Sequence, residues 1–188
     1  MTKPNAGGFT LIELMVVVAI VGVLVAVAAL SLRTNPNVRD EATALANQLR
    51  EAQRLALARG PVRADVVEAD PDNSTARARA VVFQDGNGAA VEIEVRVEDN
   101  EPGTGSTWQP IARYDLAREI SYGGWANVPD LDGTATIDPF GTDHIIECFP
   151  NGTCDGGTVF LEEAGKSGQQ ARVAMVPLNG GPVVYDGW

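Results

Sequence analysis

An apolar run from Phe9 to Leu32, interrupted only by Thr10, Glu13, Gly22 and Ser31, constrains this chain more than any other feature. As a helix rising about 1.5 Å per residue it would be about 36 Å long, enough to cross a hydrocarbon core about 30 Å thick with some tilt. One acid stands near its start. A carboxylate at the centre of a bilayer costs about 2.5 to 3.5 kcal/mol on insertion scales, and less near the end, so Glu13 requires a reason to be there. An ordinary secretory signal has a shorter apolar region with its cut site after it, and a plain single-pass anchor leaves the acid unexplained.

The order Gly8-Phe9-Thr10-Leu11-Ile12-Glu13, behind a short polar leader containing Lys3 and ahead of the apolar run, resembles the class III leader and N-methylation site of type IV pilins and type II secretion pseudopilins. That resemblance implies cleavage by a prepilin peptidase between Gly8 and Phe9, with methylation of the new amino terminus on Phe9. It also implies a role for Glu13. In the family the carboxylate at this place faces the amino group of a neighbouring subunit as the helices bundle into a filament, which offsets the burial of both charges. An α-amino group, with an ordinary pKa of about 8, is largely cationic at neutral pH and suits that part.

The remainder of the 188 residues is enough for one domain with a real core. A net charge of −11 argues against a nonspecific nucleic-acid partner, whose phosphates are bound by Lys and Arg. Local charge says little about orientation, since Lys3 precedes the run and Arg33 and Arg39 follow it. The leader resemblance puts the C-terminal region outside the cytoplasm, where Cys148 and Cys154 would meet an oxidising compartment.

After the apolar run, Asn35-Pro36-Asn37 is expected to break or kink the helix, with Asn37 as N-cap of a second one. Val38, Ala42, Leu45, Leu49, Ala52 and Ala56 then recur at steps of four and three, the stripe of an amphipathic helix that ends at Gly60-Pro61. From Val62 onward the period changes to two. Val91, Ile93, Val95 and Val97 alternate with Glu92, Glu94, Arg96 and Glu98, and the run Ala76 to Phe83 precedes them across Asp85-Gly86-Asn87-Gly88, which predicts a hairpin. Residues 70–74 and 101–106 read as its flanking loops. Further short strands are expected at Ala112–Leu116, Ile120–Tyr122, Thr134–Ile137, His144–Phe149, Thr158–Glu162, Ala171–Pro177 and Val183–Tyr185.

Ile145-Ile146-Glu147-Cys148-Phe149-Pro150-Asn151-Gly152-Thr153, followed by Gly156-Gly157-Thr158-Val159-Phe160-Leu161, resembles the C-terminal signature of the GspH/FimT family. These are the H-type minor pseudopilins of type II secretion and related minor pilins. The signature is a strand, a Phe-x-x-Gly turn read here as a hairpin, and a second strand. Leu45 to Gly60 is also similar, and the likeness extends loosely from Ala171 to Val184. Cys148 and Cys154 flank the turn and are expected to close a small disulfide loop, two free thiols being the other state.

Other chemistry is sparse. His144 is the single histidine, no Gly-x-Ser-x-Gly turn accompanies it, and with the cysteines it would give zinc only three ligands at irregular spacing. Asp130-Leu131-Asp132-Gly133 hints at calcium but lacks the ligand pattern of an EF-hand, and a tight aspartate turn accounts for it as well. Asn73-Ser74-Thr75 and Asn151-Gly152-Thr153 match a glycosylation pattern that recurs by chance. Trp108, Trp125 and Trp188 read as core or lid aromatics.

Residue pattern and resemblance together lead to an α+β fold, with a long, pilin-like N-terminal hydrophobic helix packed on a C-terminal antiparallel β lobe. The expected divisions are leader 1–8, transmembrane and assembly helix 9–32, amphipathic helix 33–60 and periplasmic β-rich domain 61–188. The resemblance implies a non-enzymatic minor pseudopilin or pilin, single-pass in the bacterial inner membrane, without cofactor or metal. Its implied partners are the prepilin peptidase, other pseudopilins or minor pilins, and the inner-membrane assembly platform. A type II secretion pseudopilus is the expected setting. A type IV pilus that the subunit primes or caps, with a DNA-uptake or adhesion role, is the alternative.

Overall fold

The computed structural model describes residues 11–31, 37–60, 75–98, 105–164, 168–177 and 180–188, with side chains in the first of these to Val25. The expected loops at 70–74 and 101–104 lie outside these residues, as does the break at Asn35-Pro36. The chain divides into two compact units, Met1–Asn35 and Pro36–Trp188. In the first, α1 runs Leu11–Ser31, 21 residues with Glu13 in the opening turn.

The second unit is α+β. Helix α2 (Val38–Arg59) starts where the Asn37 side chain accepts the Arg39 N–H, which satisfies one of the donors a helix start leaves open, and it is capped at its other end by Gly60. Its seven buried residues, Val38, Ala42, Leu45, Ala46, Leu49, Ala52 and Ala56, form one stripe. Five of them are no larger than valine. A helix axis can therefore come close to a sheet, while Leu45 and Leu49 fill the remaining volume.

Among the described residues eight strands form two antiparallel four-stranded sheets. The first has β1 (Ala78–Asp85), β2 (Gly88–Glu98), β3 (Ser106–Asp115) and β5 (His144–Cys148) in the order β3-β2-β1-β5. The second has β4 (Ile120–Ala126), β6 (Gly157–Glu163), β7 (Gln170–Val176) and β8 (Gly181–Asp186) in the order β4-β6-β7-β8. α2 packs on β1 and β2 of one sheet and on β7 and β8 of the other, so a single helix joins the two inner faces. Ala78, Ala80, Val82, Val91, Ile93 and Val95 meet it from the first sheet, and Val159, Leu161, Ala171, Val173 and Met175 complete the same core from the second.

The hairpin turns through Gly86-Asn87, with Asp85 pairing with Gly88 and its carboxylate accepting the Asn87 N–H at 2.7 Å. On the outer face, Arg79 forms an ion pair with Glu94 and lies over the Trp108 ring at 4.3 Å. Strand β3 starts at Ser106, within the expected loop and well before Ala112. Period-two patterning fails there because β3 is a sheet edge whose two faces are mostly exposed. Pro110 and a bulge at Ile93/Glu94 interrupt that edge, two devices that discourage another strand from pairing with it.

Two further expectations require correction. Thr134–Ile137 is not a strand, because the Asp130 carboxylate gathers the N–H groups of Gly133, Thr134 and Ala135 into a turn. The signature at Phe149–Gly152 reverses the chain in a tight antiparallel turn, with Cys148 and Cys154 in a single bridge, but it does not pair the two expected strands, since β5 belongs to the first sheet and β6 to the second. It is a crossing between sheets.

Candidate functional site

Of the residues singled out at the N terminus, Gly8 and Phe9 lie outside the described residues. Glu13 sits in the first turn of α1, where the partial positive charge of a helix start favours an acid. Around it Leu11, Ile12, Leu14, Met15, Val16, Val17 and Val18 are all exposed within their unit. Consecutive positions on a helix are about 100° apart, so exposed apolar groups at nearly every one of them leave no polar face. Among the described residues no helix is long and apolar enough to cross a membrane. The apolar run in the sequence begins before those residues and extends past Val25, where description of the α1 side chains stops.

In the second unit Cys148 and Cys154 are joined by a disulfide with Cα atoms 4.1 Å apart. The loop it closes is a tight turn: Gly152 N–H donates to Phe149 O at 2.9 Å, and Phe149 N–H to Thr153 O at 2.8 Å. Gly152 has φ 84°, a left-handed conformation that a side chain would strain. The Gln53 amide of α2 donates to Gly152 O at 2.6 Å, which ties the crossing to the helix. Both thiols are consumed by this bond, so neither serves as nucleophile or metal ligand.

His144 opens β5 and stacks on Trp125 of β4, ring centroids 4.8 Å apart, with Phe140 edge-on at 4.8 Å. Phe140 in turn stacks on Tyr122 at 4.7 Å. Four rings thus close the seam where an edge of one sheet faces an edge of the other. The His144 Nε2 is buried without a hydrogen-bond partner, and burial lowers the pKa of the ring despite the opposing pull of Asp138 and Asp143. Trp125 approaches so closely over Gly157 that a Cβ there would lie 2.5 Å from its ring. The ring contacts of His144, with Trp125 and Phe140, are the packing contacts of a core residue.

The Asp130 region takes the form of an aspartate turn. Asp130 is 3% exposed, and one of its oxygens accepts from Gly133 N at 2.8 Å and Thr134 N at 3.0 Å. Arg172 of β7 donates through Nε to Asp130 O at 3.0 Å, lies 3.5 Å from its second carboxylate oxygen, and donates through Nη1 to Gly187 O at 2.6 Å. A guanidinium therefore provides the positive charge beside this carboxylate. No group of three or more metal-ligating side chains occurs among the described residues. The Asp130–Arg172 pair and the four-ring seam were both missed from sequence, because each joins residues far apart in the chain.

Of the three tryptophans, Trp125 is buried, Trp108 is half-buried beneath Arg79, and Trp188 is half-buried, with its ring over Gly123 and its indole N–H donating to Leu161 O at 3.3 Å.

Residues 3–29 match the prokaryotic N-terminal methylation motif, so the N terminus is pilin-like. No curated protein matches the chain. Two solved structures of the minor pseudopilin EpsH from the type 2 secretion system of Vibrio cholerae are similar to it. One has 13% identity and a TM-score of 0.47, covering 78% of this chain and 94% of its own. The other has 11% identity and a TM-score of 0.46, covering 78% of this chain and 92% of its own.

Proposed function

We propose that this chain is a non-enzymatic minor pseudopilin of the H type, a subunit that assembles through its N-terminal helix into a type II secretion pseudopilus and supports protein export. The observation that carries the reading is the methylation motif over residues 3–29, which takes in most of α1, a helix with exposed apolar side chains all round from Leu11 to Val25. Such a helix needs a nonaqueous surrounding, either lipid or other helices like itself. Residues 1–8 are the leader removed by a prepilin peptidase, and 9–32 anchor the subunit in the inner membrane before assembly. Residues 33–60 are the segment that contains the amphipathic helix α2, and 61–188 make up the periplasmic lobe that meets other subunits. Glu13 sets the register by pairing with a neighbour's methylated amino terminus, and the disulfide suits the oxidising compartment outside the membrane.

Two measurements on the full chain test this. Mass spectrometry of the mature protein is expected to begin at an N-methylated Phe9, and an intact Met1 in functional cells overturns the processing. Glu13→Ala is expected to leave cleavage unchanged and abolish entry into filaments, and normal entry removes the register role. A type IV pilus subunit would give the same two results. Deletion strains scored for protein export and for piliation separate the two machines.

A further inference from the structure

The connection from β4 to β5, residues 127–143, is long for a compact domain. Loops beyond about 12 to 15 residues without regular structure are uncommon and are usually functional or disordered. This one is pinned along its length. Thr158 Oγ1 accepts the Asp130 N–H at 2.7 Å and donates to Val128 O at 2.9 Å, so one hydroxyl holds both ends of a three-residue step. The Asp130 carboxylate folds the next residues over itself, and Arg172 secures it from β7. Further on, Trp125 and Asp138 exchange backbone hydrogen bonds of 2.9 and 2.8 Å, and Phe140 enters the ring seam.

Between these pins the loop directs two large apolar side chains outward. Val128 is 54% exposed and Leu131 is 50% exposed, one on each side of the buried Asp130. A single exposed aliphatic means little, but two held out by a buried ion pair form a preorganised contact that loses little entropy on binding. The loop's own charged residues are all acids, and the one guanidinium seen against it, Arg172, is buried on Asp130. Asp132, Asp138 and Asp143 are exposed, and the loop contains neither Lys nor Arg. Hydrogen bonds from Thr134 hold the Asp132 carboxyl below its ordinary range, which keeps it ionised.

We infer that the 127–143 loop docks a protein partner that presents an apolar cleft rimmed by lysine or arginine. Charge decides among the possible occupants. An anionic lipid surface or a nucleic acid would be repelled by the loop acids, and a second copy of a chain with net charge −11 would bring like charge to the contact. The inference is independent of the filament reading, since it rests on the second unit alone.

The test places a photoreactive phenylalanine analogue at Val128, at Leu131 and, as a control, at the exposed Leu57 of α2, in the full-length protein in its own cells. The expected result is one and the same protein adduct from positions 128 and 131 and none from 57. That partner, once purified, is expected to bind the full chain in detergent micelles with affinity that falls as salt rises. It should weaken about tenfold with Leu131→Ser at an unchanged melting temperature. Asp132→Asn is expected to reduce the salt dependence. The inference is overturned by the absence of adducts at 128 and 131, by adducts only to lipid or to a second copy, or by binding indifferent to salt and to Leu131→Ser. A crosslinker at Val17 of α1 reports on helix bundling separately, so failure of the filament reading is distinguishable.

Discussion

His144 shows how one side chain couples stability to pH. Its ordinary pKa is about 6.5, and in the fold burial lowers it. Between the lowered value and 6.5 the unfolded chain binds a proton that the folded chain does not, so stability falls as pH falls through that window. Above about 6.5 both states are neutral and the effect vanishes. His144→Phe, which keeps a ring on Trp125, is expected to flatten this part of the pH profile of thermal unfolding, and an unchanged slope would remove the assignment. Arg172 poses the opposite problem. Its side chain is 9% exposed and that of Asp130 2%, so Arg172→Met leaves a buried carboxylate without its guanidinium. A loss of about 3 to 5 kcal/mol is expected in chemical denaturation, partly recovered when Asp130→Asn is added.

At the level of elements, α2 was readable because a helix repeats its buried face every three or four residues, and all six positions of the expected stripe are buried. Leu49 is fully buried in the core between the helix and the two sheets, where truncation leaves a cavity. Leu49→Ala should therefore cost about 2 to 5 kcal/mol, measured by denaturation of the full chain in detergent. The β1–β2 hairpin was equally legible, its glycine and asparagine turn setting a register in which Ala80 faces Ile93 and Val82 faces Val91. Strand β3 was not, since an edge exposed on both faces places no hydrophobic demand on alternate residues. Thr134–Ile137 has strand-like composition, but Asp130 binds its backbone first. That competition is local in space and remote from any periodicity.

For the whole molecule, the decisive feature is where the chain changes sheets. β5 inserts beside β1, and the next strand, β6, lies between β4 and β7. The disulfide stands at this crossing, and the Gln53 hydrogen bond fastens the crossing to α2. Reduction, or Cys148→Ala with Cys154→Ala, is expected to lower stability by about 2 to 3 kcal/mol on the loop-entropy model, read as the shift in denaturation midpoint. The edges are managed differently from one another. β3 is blunted by Pro110 and a bulge, β4 and β5 meet at the ring seam, and β8 lies against α2, where Arg50 donates to Pro182 O at 2.8 Å.

What the sequence determined by itself is whatever its local pattern encodes: the apolar run behind the methylation motif, the cap and stripe of α2, the first hairpin, and the α+β class. These follow from periods of two and 3.6 and from turn chemistry, which neighbouring residues specify. Only the tertiary structure decided the division into two sheets, the sheet crossing at Phe149–Gly152, the seam around His144 and the Asp130–Arg172 pair that holds out Val128 and Leu131. Each of these depends on strand order. Strand order is settled by burial summed over the whole core, and no short stretch of residues contains it.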